Sequence, residues 1–86
     1  MPRKHRHGLV EGIPCCQRFI AEGQPEYSPV VLGIEEYEAV RLKDLEGLDQ
    51  NECAEQMGLT RQTFQRVLQA ARNKIAEALV HGRTIK

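Results

Sequence analysis

The stretch QNECAEQMGLTRQTFQRVL, residues 50–68, constrains the fold more than any other part of the chain. Side chains three or four positions apart share one face of a helix. Cys53 and Met57 therefore line one side of a short first helix. Phe64 and Leu68 line one side of a second helix. These two apolar rows predict a pair of helices that pack against each other across a turn, with Cys53 as a core residue.

The residues between the two rows are those that a tight turn requires. Ala54 is small enough to let the second helix approach closely, and Gly58 can adopt the left-handed conformation that ends the first helix. Thr60 can cap the second helix with its hydroxyl, and Asp49 can cap the first. This register is that of a DNA-binding helix-turn-helix.

The flanking sequence completes a three-helix domain. Residues 34–45 have helical spacing and Gly47 is the stop. The predicted inward side carries Ile34, Tyr37, Val40 or Arg41, and Leu45, with Ala39 and Leu42 flanking it. The last helix should run over about residues 61–80, because no Gly or Pro interrupts it.

The predicted fold class is all-α, with two parts. Residues 32–86 form the helix-turn-helix domain, in which the long C-terminal helix is the recognition helix. Residues 1–31 form an irregular, basic N-terminal arm punctuated by Gly and Pro, and residues 30–32, across the boundary of the two parts, could form a short extended segment.

Size and charge favour a binding module over an enzyme. A domain of 86 residues buries only about 60% of the surface of its unfolded chain, which leaves little room for a deep cleft, and no catalytic constellation is present. The formal charge is zero overall but strongly polarised, at +3 for residues 1–18, −8 for residues 19–59 and +5 for residues 60–86. The positively charged residues thus fall in the arm and in the last helix and its tail, where contacts to DNA phosphates would require them.

The outward face of the last helix has the chemistry of a major-groove reader. Gln pairs with adenine N6 and N7, and Arg pairs with guanine O6 and N7. We expect Arg61, Gln62, Gln65 and Arg66 to contact bases. The remaining predicted DNA contacts are Thr60, Thr63, Gln69, Arg72 and Lys74 in this region and Arg3, Lys4 and Arg6 in the arm. The alternative is an ordinary solvated helix face, which the lack of any acidic residue over residues 60–76 disfavours.

Three runs resemble known families. EYEAVRLKDLEGL, CAEQMGLTRQTFQR and ARNKIAEALVHGRTI are similar to a group of small, predicted DNA-binding proteins of bacteria and archaea, uncharacterised protein family 0251. More broadly, the helices resemble the region-four helix-turn-helix of bacterial sigma factors, which binds promoter DNA through the helix that starts here at Thr60. The resemblance covers residues 32–85 and implies a helix-turn-helix fold and DNA binding.

The arm also carries donors suited to a metal. His5, His7, Cys15 and Cys16 are enough in number for tetrahedral zinc or another metal, although adjacent Cys residues chelate poorly. The resembling family often has Cys at the position of His5, an exchange that keeps a ligand type. The simpler interpretation is a basic arm with ordinary reduced thiols that touches phosphates.

The sequence therefore predicts sequence-specific binding of double-stranded DNA by a transcriptional regulator, acting as a homodimer on two half-sites. Two alternatives stay open. One is an adaptor that binds RNA polymerase or another protein through the acidic surface of residues 35–55, and the other is a metal- or redox-responsive switch through the arm. Because the chain has no apolar run of about 18–20 residues and no signal peptide, we expect a cytoplasmic protein without membrane contact.

Overall fold

The computed structural model describes residues 18–24 and 28–86, and its helices confirm the predicted all-α fold. Helix α1 spans Ile34–Val40 and continues as a π-helical segment, Arg41–Leu45. Helix α2 spans Gln50–Met57, and helix α3 spans Arg61–His81. Helices α2 and α3 form the helix-turn-helix, and α1 packs against α3. No helix in the described part of the chain has the length and apolar character that a bilayer span requires.

The turn between α2 and α3 follows the prediction residue by residue. The Asp49 carboxylate accepts the Glu52 backbone N–H at 2.8 Å, and the Glu52 carboxylate accepts the Asp49 N–H at 3.0 Å. These reciprocal bonds satisfy two backbone donors that a helix start would otherwise leave unpaired. Gly58 ends α2 with a φ of +69°, and the Thr60 hydroxyl accepts the Thr63 N–H at 3.1 Å to begin α3.

One apolar cluster joins all three helices. Phe64 and Met57 are its largest fully buried apolar side chains, and Val67 and Leu59 pack at its edge. The buried members are Ala39, Leu42, Cys53, Ala54, Met57, Phe64 and Leu68. The predicted core role of Cys53 is therefore confirmed, and burial raises the pKa of its thiol.

The inward face of α1 differs from the prediction. Ala39 and Leu42 reach the core, whereas Ile34 and Leu45 are 47% and 77% exposed. Ile34 is the first residue of its helix and lies outside the core cluster. In the π-helical segment the Glu46 N–H donates to the Arg41 carbonyl, one residue beyond the usual partner. That extra residue in the turn changes the angular position of Leu45, which periodicity at 3.6 residues per turn cannot anticipate.

The C-terminal tail lies between two extended segments. Ile85 forms an antiparallel bridge with Phe19 and a parallel bridge with Val30. The Phe19 and Ile85 backbones exchange two hydrogen bonds of 2.8 Å, and the Lys86 N–H donates to the Val30 carbonyl at 2.8 Å. Thr84 is buried and accepts the Ala21 N–H with its hydroxyl at 3.2 Å. These bonds join residues on both sides of the predicted boundary at residue 32.

Candidate nucleic-acid interface

The first four turns of helix α3 separate apolar from polar side chains, whereas Leu79 and Val80 near its end are exposed. Phe64, Leu68 and Ala71 are at most 2% exposed and anchor the helix on the core. The residues predicted to contact bases point away from this row and are exposed. The exposed residues of the first four turns are Arg61, Gln62, Thr63, Gln65, Arg66, Gln69, Arg72 and Asn73. The predicted inward row is thus confirmed, and the outward residues form one continuous polar face.

Hydrogen bonds at the start of α3 order this face. The Thr60 hydroxyl, which accepts the Thr63 N–H, also donates to the Thr63 hydroxyl at 2.9 Å. About two turns later, the Gln69 amide donates to the Asn73 side-chain oxygen at 3.1 Å. Both Thr hydroxyls are therefore exposed and ordered by each other at the start of α3.

A further hydrogen bond connects the face to helix α2. The Gln50 side-chain amide donates to the Oε1 atom of Gln65, fifteen residues later in the chain. Gln50 is the first residue of α2, directly after its cap Asp49. The sequence pattern predicts a role for Gln65 but none for Gln50. The only sequence signal for Gln50 is its place as the first residue of the motif, which does not reveal the distance between two side chains on different helices.

The basic residues of α3 fall into two groups. Arg61 and Arg66 make no ion pair with any residue in 18–24 or 28–86. Arg72 instead forms two hydrogen bonds to the Asp44 carboxylate, and Lys74 contacts Glu36 at 2.8 Å. The Arg72 guanidinium lowers the pKa of Asp44, and the same hydrogen bonds raise the pKa of Arg72. The two cations predicted to bind phosphates farther along α3 are therefore engaged by α1.

A family model supplies the decisive comparison. It is described as protein of unknown function DUF134, and it matches residues 1–86. The chain belongs to this family.

Curated relatives of this DUF134 chain carry the name UPF0251 protein, which confirms the predicted resemblance to family 0251. The relative from Desulforudis audaxviator is 56% identical over 88 residues, which cover all of this chain and 58% of the relative. The relative from Caldicellulosiruptor saccharolyticus is 54% identical over 86 residues, covering all of this chain and 61% of the relative. One from Clostridium botulinum strain Hall is 48% identical over 88 residues and is covered to 56%. The chain thus spans about three fifths of the length of these relatives. No solved structure matches it.

The acidic surface of the DUF134 chain is less open than its sequence indicates. The sequence suggests that Glu35, Glu36, Glu38, Asp44 and Glu46 form one solvated face. Glu38 is instead only 1% exposed, and its carboxylate accepts two hydrogen bonds from Arg41, at 2.9 and 2.7 Å. Glu38 and Arg41 are three residues apart, about one helical turn, so the guanidinium reaches the carboxylate. This pairing allows the Glu38 carboxylate to be buried, because a buried charge needs a hydrogen-bonded partner.

The predicted arm contacts lie outside the described residues. Among residues 18–24 and 28–86, no group of three or more His, Cys, Asp or Glu side chains is arranged to hold a metal. The predicted arm and metal-binding residues that lie outside the described ranges are Arg3, Lys4, His5, Arg6, His7, Cys15 and Cys16. The metal and arm contacts stay predictions from the sequence.

Proposed function

We propose that this chain binds double-stranded DNA in a sequence-specific manner and acts as a transcriptional regulator. In this proposal the first turns of α3 enter the major groove, as the second helix of a helix-turn-helix does. One observation carries the proposal: the face opposite the buried Phe64–Leu68 row is exposed and bears amide, hydroxyl and guanidinium groups, with no carboxylate before Glu77. A helix face with cationic and neutral polar groups but no carboxylate can approach a polyanion, since a carboxylate there would repel the phosphates.

The ion pairing of the basic residues indicates which part of α3 belongs to the proposed interface. Arg61 and Arg66 belong to the first turns of α3 and make no ion pair with a described residue, so they are available for guanine edges or phosphates. Arg72 and Lys74 would have to exchange an intramolecular carboxylate for a phosphate, which reduces the gain from any such contact. The proposed interface is therefore centred on residues 60–69.

The adaptor alternative receives less support from the contacts of α1. Of the carboxylates on its predicted docking surface, Glu36, Glu38 and Asp44 already pair with basic residues of the same chain. A basic partner would have to displace these contacts.

The proposal is tested by selecting bound sequences from a random duplex pool and then measuring affinity across a salt series. Each phosphate contact contributes about −0.9 to the slope of log affinity against log salt, so several contacts require a steep fall. Loss of a bidentate base contact in Arg66→Ala should weaken binding to the selected duplex by about 1–3 kcal/mol. The matched control is Arg83→Ala, because Arg83 follows the end of α3, about 22 Å or more from Arg66 along the helix axis.

The absence of an enriched sequence, together with a shallow salt slope, would contradict the proposed function. The selected duplexes also test the homodimer that belongs to the proposal. Two copies of this chain should select two half-sites whose centres lie about one helical turn of DNA apart. A single half-site with one protein copy bound would rule out the dimer and leave the DNA-binding proposal intact.

A further inference from the structure

The hydrogen bond between Gln50 and Gln65 joins two helices on the exposed side of the helix-turn-helix. Both of its ends are held in place by the backbone. Gln50 follows the Asp49–Glu52 capping box, and Gln65 lies one turn after the Thr60 cap. The bond therefore connects two side chains whose backbones are already ordered, within the face proposed to read bases.

The chemistry of the amide group gives this bond a direction. A glutamine side chain ends in one carbonyl oxygen, which accepts hydrogen bonds, and one NH₂ group, which donates them. An unrestrained glutamine can turn either group toward a base. Gln50 donates to Oε1 of Gln65, which occupies one lone pair of that oxygen and leaves the Gln65 NH₂ group to donate elsewhere.

We propose that Gln50 is a positioning residue that fixes Gln65 as a hydrogen-bond donor and so determines which bases Gln65 accepts. This inference rests on the proposed function. A donor in the major groove matches purine N7, guanine O6 and thymine O4, whereas cytosine presents its N4 amino group there. Gln65 should therefore prefer bases that present an acceptor at its position and disfavour cytosine.

The size of the effect follows from the entropy of ordering a side chain. Immobilising a long side chain on binding costs about 0.5–1.5 kcal/mol, and a bond that orders Gln65 beforehand avoids part of that cost. This range corresponds to about 2- to 10-fold in affinity. Removing Gln50 should thus reduce the preference at one base pair by about that factor without changing the contacts at other base pairs.

The experiment uses the duplex selected by the unmodified protein and all of its single-base-pair variants. Gln65→Ala first identifies the base pair that Gln65 reads. Gln50→Ala should then reduce discrimination at that same pair by about 2- to 10-fold. The double variant should discriminate no worse than Gln65→Ala alone, because the two residues act through one contact. Gln56→Ala, which removes an exposed glutamine elsewhere on α2, should leave discrimination at this pair unchanged.

Gln50→Glu separates a positioning role from a merely structural one. An ionised glutamate only accepts hydrogen bonds, so Gln65 must turn its NH₂ group toward residue 50 and present Oε1 to the DNA. The preference at the pair read by Gln65 should then move toward bases that present a donor, namely adenine N6 and cytosine N4. A loss of helix packing alone would lower affinity for all duplexes equally and would not move this preference.

The possible failures are distinguishable. If the unmodified protein selects no duplex, the proposed function itself is wrong. If it selects a duplex but Gln50→Ala and Gln50→Glu leave the preference at the Gln65 pair unchanged, or if their effects add to that of Gln65→Ala, the positioning role of Gln50 is wrong. Melting temperatures of the variants, measured in parallel, exclude unfolding as the cause of any loss.

Discussion

Gly58 holds the turn between α2 and α3 in a backbone conformation that few other residues adopt. Its φ is +69°, and its N–H donates to the Glu55 carbonyl at 3.1 Å. For residues with a Cβ atom this left-handed region is disfavoured by roughly 1–2 kcal/mol. The relative orientation of the two helices therefore depends on a residue that contributes no side-chain contact of its own.

Gly58→Ala should lower the free energy of unfolding by about 1–2 kcal/mol, because the added Cβ is strained at this φ. Gly58→Asn should lower it less, since asparagine tolerates the left-handed region. Urea denaturation of the three proteins measures the difference. Gly33→Ala is the control, because φ is −71° at Gly33 and an added Cβ would meet Glu36 Oε1 at an ordinary 3.4 Å. Equal losses at the two glycines would contradict the conformational explanation.

Helix α3 is joined to α1 and to the π-helical segment that follows it by two ion pairs. Arg72 binds Asp44, and Lys74 binds Glu36. The Asp44 and Arg72 side chains are 38% and 45% exposed, so water screens their attraction and the pair should contribute only about 0.2–1 kcal/mol. The pairs orient the rear of α3 on α1 more than they stabilise the fold.

The Asp44 pair predicts a pH dependence of definite sign. Folding lowers the pKa of Asp44 below 3.8, so the unfolded chain binds this proton more readily than the folded one. The contribution of the pair is therefore fully present well above pH 3.8 and is lost as the pH falls through the folded pKa. The unfolding free energy of wild type minus that of Asp44→Asn should shrink as the pH falls from 6 to 3. A difference that stays constant or grows over this range would show that the Asp44–Arg72 pair does not stabilise the fold in the predicted pH-dependent way.

The sequence predicts the elements here better than it predicts how they face each other. Caps and stops are local, so Asp49, Gly58 and Thr60 could be assigned from their neighbours alone, and the structure confirms all three. The inward face of α1 could not be assigned in this way, because the π-helical segment changes the periodicity between Ala39 and Leu45.

At the candidate site, too, the sequence predicts what depends on one helix but not what depends on the packing of two. The exposure of Arg61, Gln65 and Arg66 follows from the apolar row on the opposite side of α3, which the sequence displays. The pairing of Arg72 with Asp44, across 28 residues, and of Gln50 with Gln65 depends on the angle between helices. No pattern within one helix encodes that angle. Spacing therefore identified the face but not the side chains that other helices engage.

The extended segments around Phe19, Val30 and Ile85 pair with one another through backbone bridges. Ile85 pairs with both Phe19 and Val30, and all three lie outside the buried cluster of α1, α2 and α3. This separation implies that the segments can detach while the helical core stays folded. Local opening of this kind has a lower free energy than global unfolding.

Ile85→Pro tests this separation. Proline has no N–H, so it removes the hydrogen bond to the Phe19 carbonyl. Amide hydrogen exchange at Leu32 and Lys86 should accelerate strongly, while exchange at Phe64 and Leu68 in α3 should change little. Ile85→Ala keeps the N–H and controls for the loss of the side chain. Equal acceleration in α3 would mean that the segments and the helices unfold as one unit.

The partition of α3 into a buried row and an outward row has a consequence for how such a protein can diversify. Phe64 and Leu68 hold the helix, while Arg61, Gln62 and Arg66 take no part in the apolar cluster. If the outward row binds DNA as proposed, exchanges at its positions change the recognised sequence while the buried row keeps the fold. Under that proposed function, a lineage built on this scaffold would acquire new DNA targets one substitution at a time, with each intermediate remaining a well-folded protein.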